Sequence, residues 1–310
     1  MRRRARTRRD AQSGAAIIVA LGVMALAAIA ASAIVSEQGV WAREHELRSA
    51  HAQARTLTRA GLDWARAVLA DDRRTSRVDH HGEAWAIRVP AIAYENAEVG
   101  GEIADQQGLF NLNNLVRDGA VSLPHLRQFR RLLEVLALAP ELADTLADWL
   151  DGDGEARPNG GEDAYYQALE PGYLPANAPL AEIAELALVR GFDADARARL
   201  EPYVTALPRR TAVNVNTASA EVLTAVVEGM DLSEARALVA QRESAWFRDL
   251  ADFTRALASA HTVAPQDVGV SSDYFAAAIH ARVGDARARA TAVLARETAG
   301  WPRVVWRRLR

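Results

Sequence analysis

The sequence predicts an α+β fold: a long N-terminal helix packed on a small antiparallel sheet, with a large all-helical segment inserted between parts of that sheet. An uncharged apolar stretch that continues as a helical stripe predicts the helix. Strand-like segments on both sides of the middle of the chain predict the sheet, at residues 84–89, 97–104, 274–283, 290–295 and 302–309. Helical patterning between these segments predicts the insert.

The N-terminus has a basic segment followed by an apolar one. Residues 1–14 hold six Arg and one Asp, and residues 15–36 hold no charged side chain. At about 1.5 Å per residue, a helix over 15–36 is long enough to cross a hydrocarbon core of about 30 Å, so this segment is predicted to span a membrane. The alternative interpretation is a buried core helix. The basic flank predicts a single pass, with the N-terminus in the cytoplasm and everything after residue 36 outside it.

The helical pattern continues beyond the apolar stretch. Small and apolar side chains recur at intervals of three and four residues: Leu47, Ala50, Ala54, Leu57, Gly61, Trp64 and Val68. This stripe predicts one helix that leaves the membrane, persists to about residue 69 and packs on the domain that follows.

Two cleavage sites compete at the N-terminus. The small residues 31–33 fit an ordinary secretory signal, whose removal discards the whole apolar stretch. The segment 12–19 instead resembles a prepilin leader, a short basic peptide that ends in Gly14 and leaves the apolar helix as the new N-terminus from Ala15. The helical stripe favours this second site, because it continues the apolar stretch as one long helix.

The middle of the chain is predicted to be helical. The candidate helices span residues 124–138, 141–150, 180–186, 193–206, 220–227, 233–242 and 249–258. The predicted division is therefore 1–14 as the leader, 15–36 as the transmembrane part of the helix, 37–115 as the rest of the helix and the first strands, 116–266 as the inserted helical domain, and 267–310 as the last strands.

Four motifs follow the leader in a fixed order: residues 105–115 (DQQGLFNLNNL), 148–153 (DWLDGD), 162–166 (EDAYY) and 213–218 (VNVNTA). In this order, and over essentially the whole chain, they resemble the general secretion pathway protein K family, the minor pseudopilins of type II secretion. The resemblance implies a pilin-like fold with a helical insertion. It also implies processing by prepilin peptidase, a single-pass inner-membrane anchor with a periplasmic body, the inner-membrane assembly platform as a partner, and a place at the pseudopilus tip with the minor pseudopilins I and J.

The fifth residue of the mature chain differs from that of ordinary pilins. Cleavage after Gly14 makes this residue Val19, where most pilin-like subunits have a Glu that pairs with the free amine of the neighbouring subunit. A carboxylate in an apolar core is tolerated only when it is paired. A subunit with Val needs no such partner above it, which suits a terminal position. The alternative is that Val19 is merely compatible with the membrane.

Carboxylates cluster around residues 148–163: Asp148, Asp151, Asp153, Glu155, Glu162 and Asp163. Counted from Asp151, the acidic positions one, three, five and twelve have the spacing of a calcium loop, but Ala156 and Pro158 depart from the EF-hand pattern. We therefore expect a less regular calcium site, which the family resemblance also suggests. The alternatives are a solvated acidic loop and, less favoured, a paired-carboxylate hydrolase site.

The segment from residue 213 to 247 also resembles a helix-hairpin-helix module, so an exported DNA-binding protein is the alternative function. Such modules present backbone N–H groups to phosphate, but Glu228, Asp231 and Glu234 place negative charge at that point. We therefore expect no nucleic-acid binding. Asn214 and Asn216 are expected to bond to the turn backbone, and Thr217 to cap the next helix.

Composition excludes several enzyme classes. The chain has no Cys and no Lys, so thiol nucleophiles, thiolate metal sites, P-loop lysines and Schiff bases are excluded. It also lacks the Gly-x-Ser-x-Gly and His-Glu-x-x-His motifs. We therefore expect a structural subunit and not an enzyme. Its net charge of -3 becomes -8 without the leader, because residues 1–14 carry six Arg and one Asp.

Overall fold

A computed structural model describes residues 7–296 and 300–310, so the first residues of the predicted leader lie outside the described residues. The first element is α1, a helix from Thr7 to Thr75 that includes the predicted cleavage residues Gly14 and Ala15. From residue 16 onward its apolar N-terminal part is exposed, and one window of it is long and apolar enough to cross a membrane.

The second half of α1 packs on the sheet. Ala54, Leu62, Ala65 and Leu69 are buried, and their spacing of three, four and eight residues keeps them on one helical face. Much of the predicted stripe lies on this face, since Ala54 is buried and Ala50, Leu57 and Val68 pack against the sheet cores. Trp64 is the exception, because it is 52% exposed.

The described residues contain eleven strands. They are β1 (Val89–Tyr94), β2 (Ala97–Asp105), β3 (Phe110–Asn111), β4 (Val116–Arg117), β5 (Ala120–Val121), β6 (Val204–Thr205), β7 (Val213–Asn214), β8 (Val268–Gly269), β9 (Tyr274–Val283), β10 (Ala286–Ala295) and β11 (Arg303–Leu309).

Five strands form one antiparallel sheet in the order β1-β2-β9-β10-β11. Alternate side chains of its strands, such as Ile103, Phe275 and Leu294, point toward α1 and form a common core with Leu62 and Leu69. Strands β2 and β9 are neighbours although residues 106–273 separate them in the chain. That whole segment is therefore inserted between two adjacent strands.

The insert is mainly helical and has its own core. Its α-helices are α2 (Leu123–Val135), α3 (Leu142–Leu150), α4 (Asp163–Gln167), α5 (Ala194–Leu200), α6 (Ala220–Val226), α7 (Leu232–Ser244) and α8 (Leu250–Ala256). Phe110, Phe129, Leu146 and Leu223 are among the buried residues of this core. Three two-stranded pairs, β3–β6, β4–β5 and β7–β8, connect the helices.

The predicted α+β class, with its long helix, antiparallel sheet and helical insert, is confirmed, whereas the domain bounds stay predictions. Three predicted elements differ from the structure, and one of them is the helix expected over 180–186, where a 3-10 helix runs from Ile183 to Leu188. Residues 84–89 were expected to form a strand, but Ala84–Ala86 is a 3-10 turn whose Trp85 packs edge-on against Phe275. The helix expected over 193–206 ends at Leu200, and Val204–Thr205 pairs as a strand with β3.

Candidate functional site

A buried carboxylate lies where the insert leaves and rejoins the sheet. Asp105, the last residue of β2, accepts hydrogen bonds from the Asn214 amide at 2.9 Å, the Thr217 hydroxyl at 2.6 Å and the Ser272 hydroxyl at 2.7 Å. Burial raises the pKa of Asp105, and the bonds from Thr217 and Ser272 oppose that effect. Three segments far apart in the sequence therefore meet on one carboxylate.

The asparagines of the motif 213–218 make long-range bonds as well as the local ones expected. Asn214 also donates to the backbone carbonyl of Asp79, before the sheet. Asn216 donates to the carbonyl of Phe247 and accepts from its N–H, at 2.9 and 2.8 Å. The expected local bond to the turn backbone is also present, because the side-chain oxygen of Asn214 accepts from the N–H of Asn216. This motif therefore holds the insert together and joins it to the sheet.

The asparagines of the motif 105–115 have the same role. The side-chain amides of Asn111, Asn113 and Asn114 donate to backbone carbonyls in residues 207–211, at 2.8 to 2.9 Å. Buried amides need such partners, because an unsatisfied one costs about 1–3 kcal/mol. These motif residues hold the connection between the two halves of the insert.

Arg296 is a buried cation at the same junction between the insert and the sheet. It is 1% exposed, donates to Asp79 at 2.6 Å and to the Ser272 carbonyl at 2.8 Å, and also forms an ion pair with Asp72 near the end of α1. Burial, followed by the nearby Glu83, raises the pKa of Asp72 to about 6, although Arg296 lowers it. No local sequence pattern pointed to Arg296 or Ser272, whose partners lie up to 224 residues away.

The acidic loop begins at the end of α3. Asp148 and Asp151 are fully buried, and Arg157 donates from Nη1 to both, at 2.5 and 2.8 Å. The Arg157 backbone N–H also donates to Asp148 at 3.0 Å. The guanidinium therefore neutralises part of a cluster in which the sequence predicted only carboxylates.

Three of the six predicted ligands lie together. Asp151, Asp153 and Glu162 each place a carboxylate oxygen within 4.8 Å of the others. One oxygen of Asp151 and both oxygens of Glu162 are buried without a hydrogen-bond partner among the described residues. Glu155 and Asp163 are exposed and lie outside this group. Hard carboxylate oxygens that lack donors fit a divalent cation such as Ca²⁺.

The electrostatics of Glu162 agree with this geometry. Burial, followed by repulsion from Asp148, Asp151, Asp153 and Asp163, raises its pKa to about 7. Burial also raises the pKa of Asp151, against the effect of Arg157. Ionisation of Glu162 therefore costs more than that of an ordinary Glu, and a cation in the group would relieve the repulsion.

The helix-hairpin-helix-like segment forms α6 and α7, but it is unsuited to phosphate. The side chains of Asp231 and Glu234 form a reciprocal capping box at the start of α7. Arg242 is buried and donates to the carbonyl of Val215, so it does not reach solvent. The predicted cap of α6 is wrong, because Ser219 caps that helix while Thr217 bonds to Asp105.

A long N-terminal helix with an exposed apolar half, packed on an antiparallel sheet that carries a helical insert, defines a pilin-like subunit. Two family models, both described as type II secretion system protein K, match residues 108–209 and 213–271. The chain is 35% identical to the type II secretion system protein K of Pseudomonas aeruginosa, over 96% of this chain and 93% of that protein. It is 32% identical to that of Klebsiella pneumoniae, over 92% and 93%. The chain belongs to the type II secretion system protein K family, the minor pseudopilins, and nothing supports the DNA-binding alternative.

A solved structure shares the fold. The chain resembles one in the crystal structure of the GspK-GspI-GspJ complex from the enterotoxigenic Escherichia coli type 2 secretion system, with a TM-score of 0.76 and 24% identity. The match covers 86% of this chain and 99% of that chain. The two chains therefore share a fold. The protein K family itself is a structural component of secretion.

Proposed function

We propose that this chain is cut by prepilin peptidase between Gly14 and Ala15 and then caps the tip of a periplasmic pseudopilus, together with the minor pseudopilins I and J. In this proposal the apolar part of α1 anchors the precursor in the inner membrane by a single pass. The N-terminus lies in the cytoplasm, the sheet and the insert lie in the periplasm, and the assembly platform extracts the mature helix. The chain acts as a structural subunit and not as an enzyme.

One observation carries this proposal. The exposed apolar part of α1 and the part that packs on the sheet are a single helix from Thr7 to Thr75. A conventional signal cleavage near residue 33 would cut this helix, whereas cleavage after Gly14 keeps an apolar segment able to enter either the membrane or a filament core. Membership in the protein K family supports the same route.

Val19 supports a terminal position. It lies on the exposed apolar part of α1, and as the fifth mature residue it offers no carboxylate to the amine of a subunit above. Internal subunits gain from such a pair because the filament core is apolar, whereas a subunit with no neighbour above gains nothing from an unpaired carboxylate there.

We also propose that Ca²⁺ binds the group formed by Asp151, Asp153 and Glu162. The unpartnered buried oxygens of Asp151 and Glu162 support this assignment. Asp148 is held by Arg157 and lies outside the group, but its negative charge is close enough to raise the pKa of Glu162. The ion would supply positive charge that fixes the loop 151–162 against α3.

Co-purification tests the tip assignment. The full-length chain is expressed with prepilin peptidase and the minor pseudopilins I and J, and the complex is captured through a tag on I. The proposal expects one copy of each protein in the mass of the captured complex, and loss of this chain from it when Gly14→Leu blocks cleavage. Capture of I and J without the wild-type chain would contradict the proposal.

A further inference from the structure

A cavity of about 500 Å³ lies in the insert, apart from the acidic loop and from α1. One wall is α2, and the others come from the turn before it and from segments on either side of α7 and α8. The cavity therefore lies between the two segments, 108–209 and 213–271, that the family models match. Cavities of about 300–1,000 Å³ between structural units are typical of binding sites.

The floor of the cavity is a buried polar cluster. Asp267, itself 4% exposed, accepts hydrogen bonds from Gln128 at 2.9 Å and from Arg210 at 2.6 Å. His125 Nε2 lies 3.3 Å from the same carboxylate, and its Nδ1 lies 2.7 Å from the Ser122 hydroxyl. The charge of Asp267 is thus already compensated within the protein.

Two arginines on α2 form the wall above this floor. Arg131 donates from Nε and Nη2 to the carbonyl of Ala225, at 2.9 and 2.6 Å, which fixes the guanidinium and leaves other N–H groups to donate. Arg127 lies one turn away, is exposed, and makes no hydrogen bond or ion pair with the described residues. Like charges four residues apart on a helix repel each other, so an anion between them is favourable.

The total charge of the lining is positive. Four arginines, at 117, 127, 131 and 210, face two carboxylates, those of Glu228 and Asp267. Arg117 has only an exposed ion pair at 3.5 Å with Asp118, which screening by solvent weakens. Burial lowers the pKa of Arg131, Glu228 raises it and Arg127 lowers it again. The strongest uncompensated positive charge is therefore at Arg127.

We propose that this cavity binds an acidic side chain of a peptide segment from another protein. The planar guanidinium of Arg127 pairs with a carboxylate in a two-point geometry. Asn114 and Gln266, whose amides also line the cavity, offer donors and acceptors to the peptide backbone. Glu228, whose charge is not compensated in this floor, disfavours a doubly charged phosphate more than a singly charged carboxylate. This site goes beyond the proposed place at the pseudopilus tip and does not depend on it.

Fluorescence anisotropy with the full-length chain in detergent tests the site. The probe is a fluorescein-labelled pentaglutamate peptide, and pentaglutamine is the matched uncharged peptide. Saturable binding of pentaglutamate is expected to weaken about tenfold in Arg127→Ala, the effect of one charge-assisted bond. Arg236→Ala removes the same charge from an exposed position on α7 outside the cavity, and it is expected to leave binding within about twofold.

Three outcomes would overturn the proposal. One is equal binding of the two peptides, and another is an equal loss in Arg127→Ala and Arg236→Ala, which would mean a diffuse charge effect. The third is displacement of the peptide by an equal concentration of inorganic phosphate, which would mean an unspecific anion site.

Because Arg127 is exposed and unbonded, Arg127→Glu is expected to fold and to abolish binding. Thermal unfolding of each variant checks that the fold is intact.

Discussion

Asn214 donates its side-chain amide to the carboxylate of Asp105 at 2.9 Å, and this bond connects the end of β2 to a strand in the middle of the insert. The two residues are 109 positions apart and belong to two different sequence motifs. Ser272, two residues before β9, donates to the same carboxylate. The exit and the return of the insert are therefore fixed at one buried point.

Replacing Asn214 with Ala is expected to lower the free energy of unfolding by about 2–4 kcal/mol, because it leaves Asp105 and the Asp79 carbonyl with unmet hydrogen bonds in a buried site. Urea unfolding in detergent measures the effect. Gln241→Ala, at an exposed position on α7, serves as the control and should change stability by less than about 0.5 kcal/mol. An Asn214→Ala variant as stable as the control variant would show that the junction is not a main support.

Removing Arg157 is expected to expose the repulsion within the acidic loop. Arg157→Ala leaves Asp148 and Asp151 buried without their cation, and the expected loss of unfolding free energy is about 3–5 kcal/mol in a chelator. The double variant Asp148→Asn/Arg157→Ala should recover part of this loss, since one of the two orphaned charges is gone. Additive losses in the double variant would contradict a coupled pair.

Calcium is expected to raise the melting temperature of the wild-type chain. A ligand at 100 times its Kd adds about 2.7 kcal/mol to the free energy of unfolding. The effect is measured as the difference between the melting temperatures in excess Ca²⁺ and in EGTA. Glu162→Gln should abolish the shift, because both of its carboxylate oxygens lie unpartnered in the group. Glu155→Gln should keep it, since Glu155 is exposed and outside the group. Equal shifts in the two variants would rule out the proposed ligands.

The stability of the chain is expected to depend on the ionisation of Asp72. Its pKa of about 6 in the folded protein exceeds the ordinary 3.8, so the folded state holds the proton more tightly than the unfolded state. The free energy of unfolding therefore falls as the pH rises from about 4 through about 6, by at most about 3 kcal/mol. Asp72→Asn removes this contribution, so it should gain stability relative to wild type over that range. A difference between the two proteins that stays constant from pH 4 to pH 8 would contradict this.

The sequence predicts the fold class because periodicity is local. The alternation of β9 and β10 and the apolar stretch of α1 are visible in short windows of the chain. The strand predicted at 84–89 is wrong because the structure there depends on a contact with a residue far away in the sequence. Trp85 donates its indole N–H to Glu83 and packs on Phe275, a contact that no local pattern contains. The exposure of Trp64 could not be predicted either, because the sheet covers Leu62, Ala65 and Leu69 and leaves that side chain outside.

The acidic loop shows what spacing can and cannot predict. The positions of Asp151, Asp153 and Glu162 in the loop predict a group of carboxylates, and the structure brings these three together. Spacing alone could not show that Arg157, in the middle of the same loop, folds back onto Asp148 and Asp151. It also could not separate Glu155 and Asp163 from the group, because their exposure depends on how the loop packs against α3.

The mature N-terminus tests the central claim most directly. Intact mass and terminal sequencing of the chain from membranes, with and without prepilin peptidase, determine it. The proposed route predicts a peptidase-dependent start at Ala15, which keeps the apolar part of α1 and makes Val19 the fifth residue. A start near Ile34, independent of that peptidase, would mean conventional secretion and would contradict the place of this chain at a pseudopilus tip.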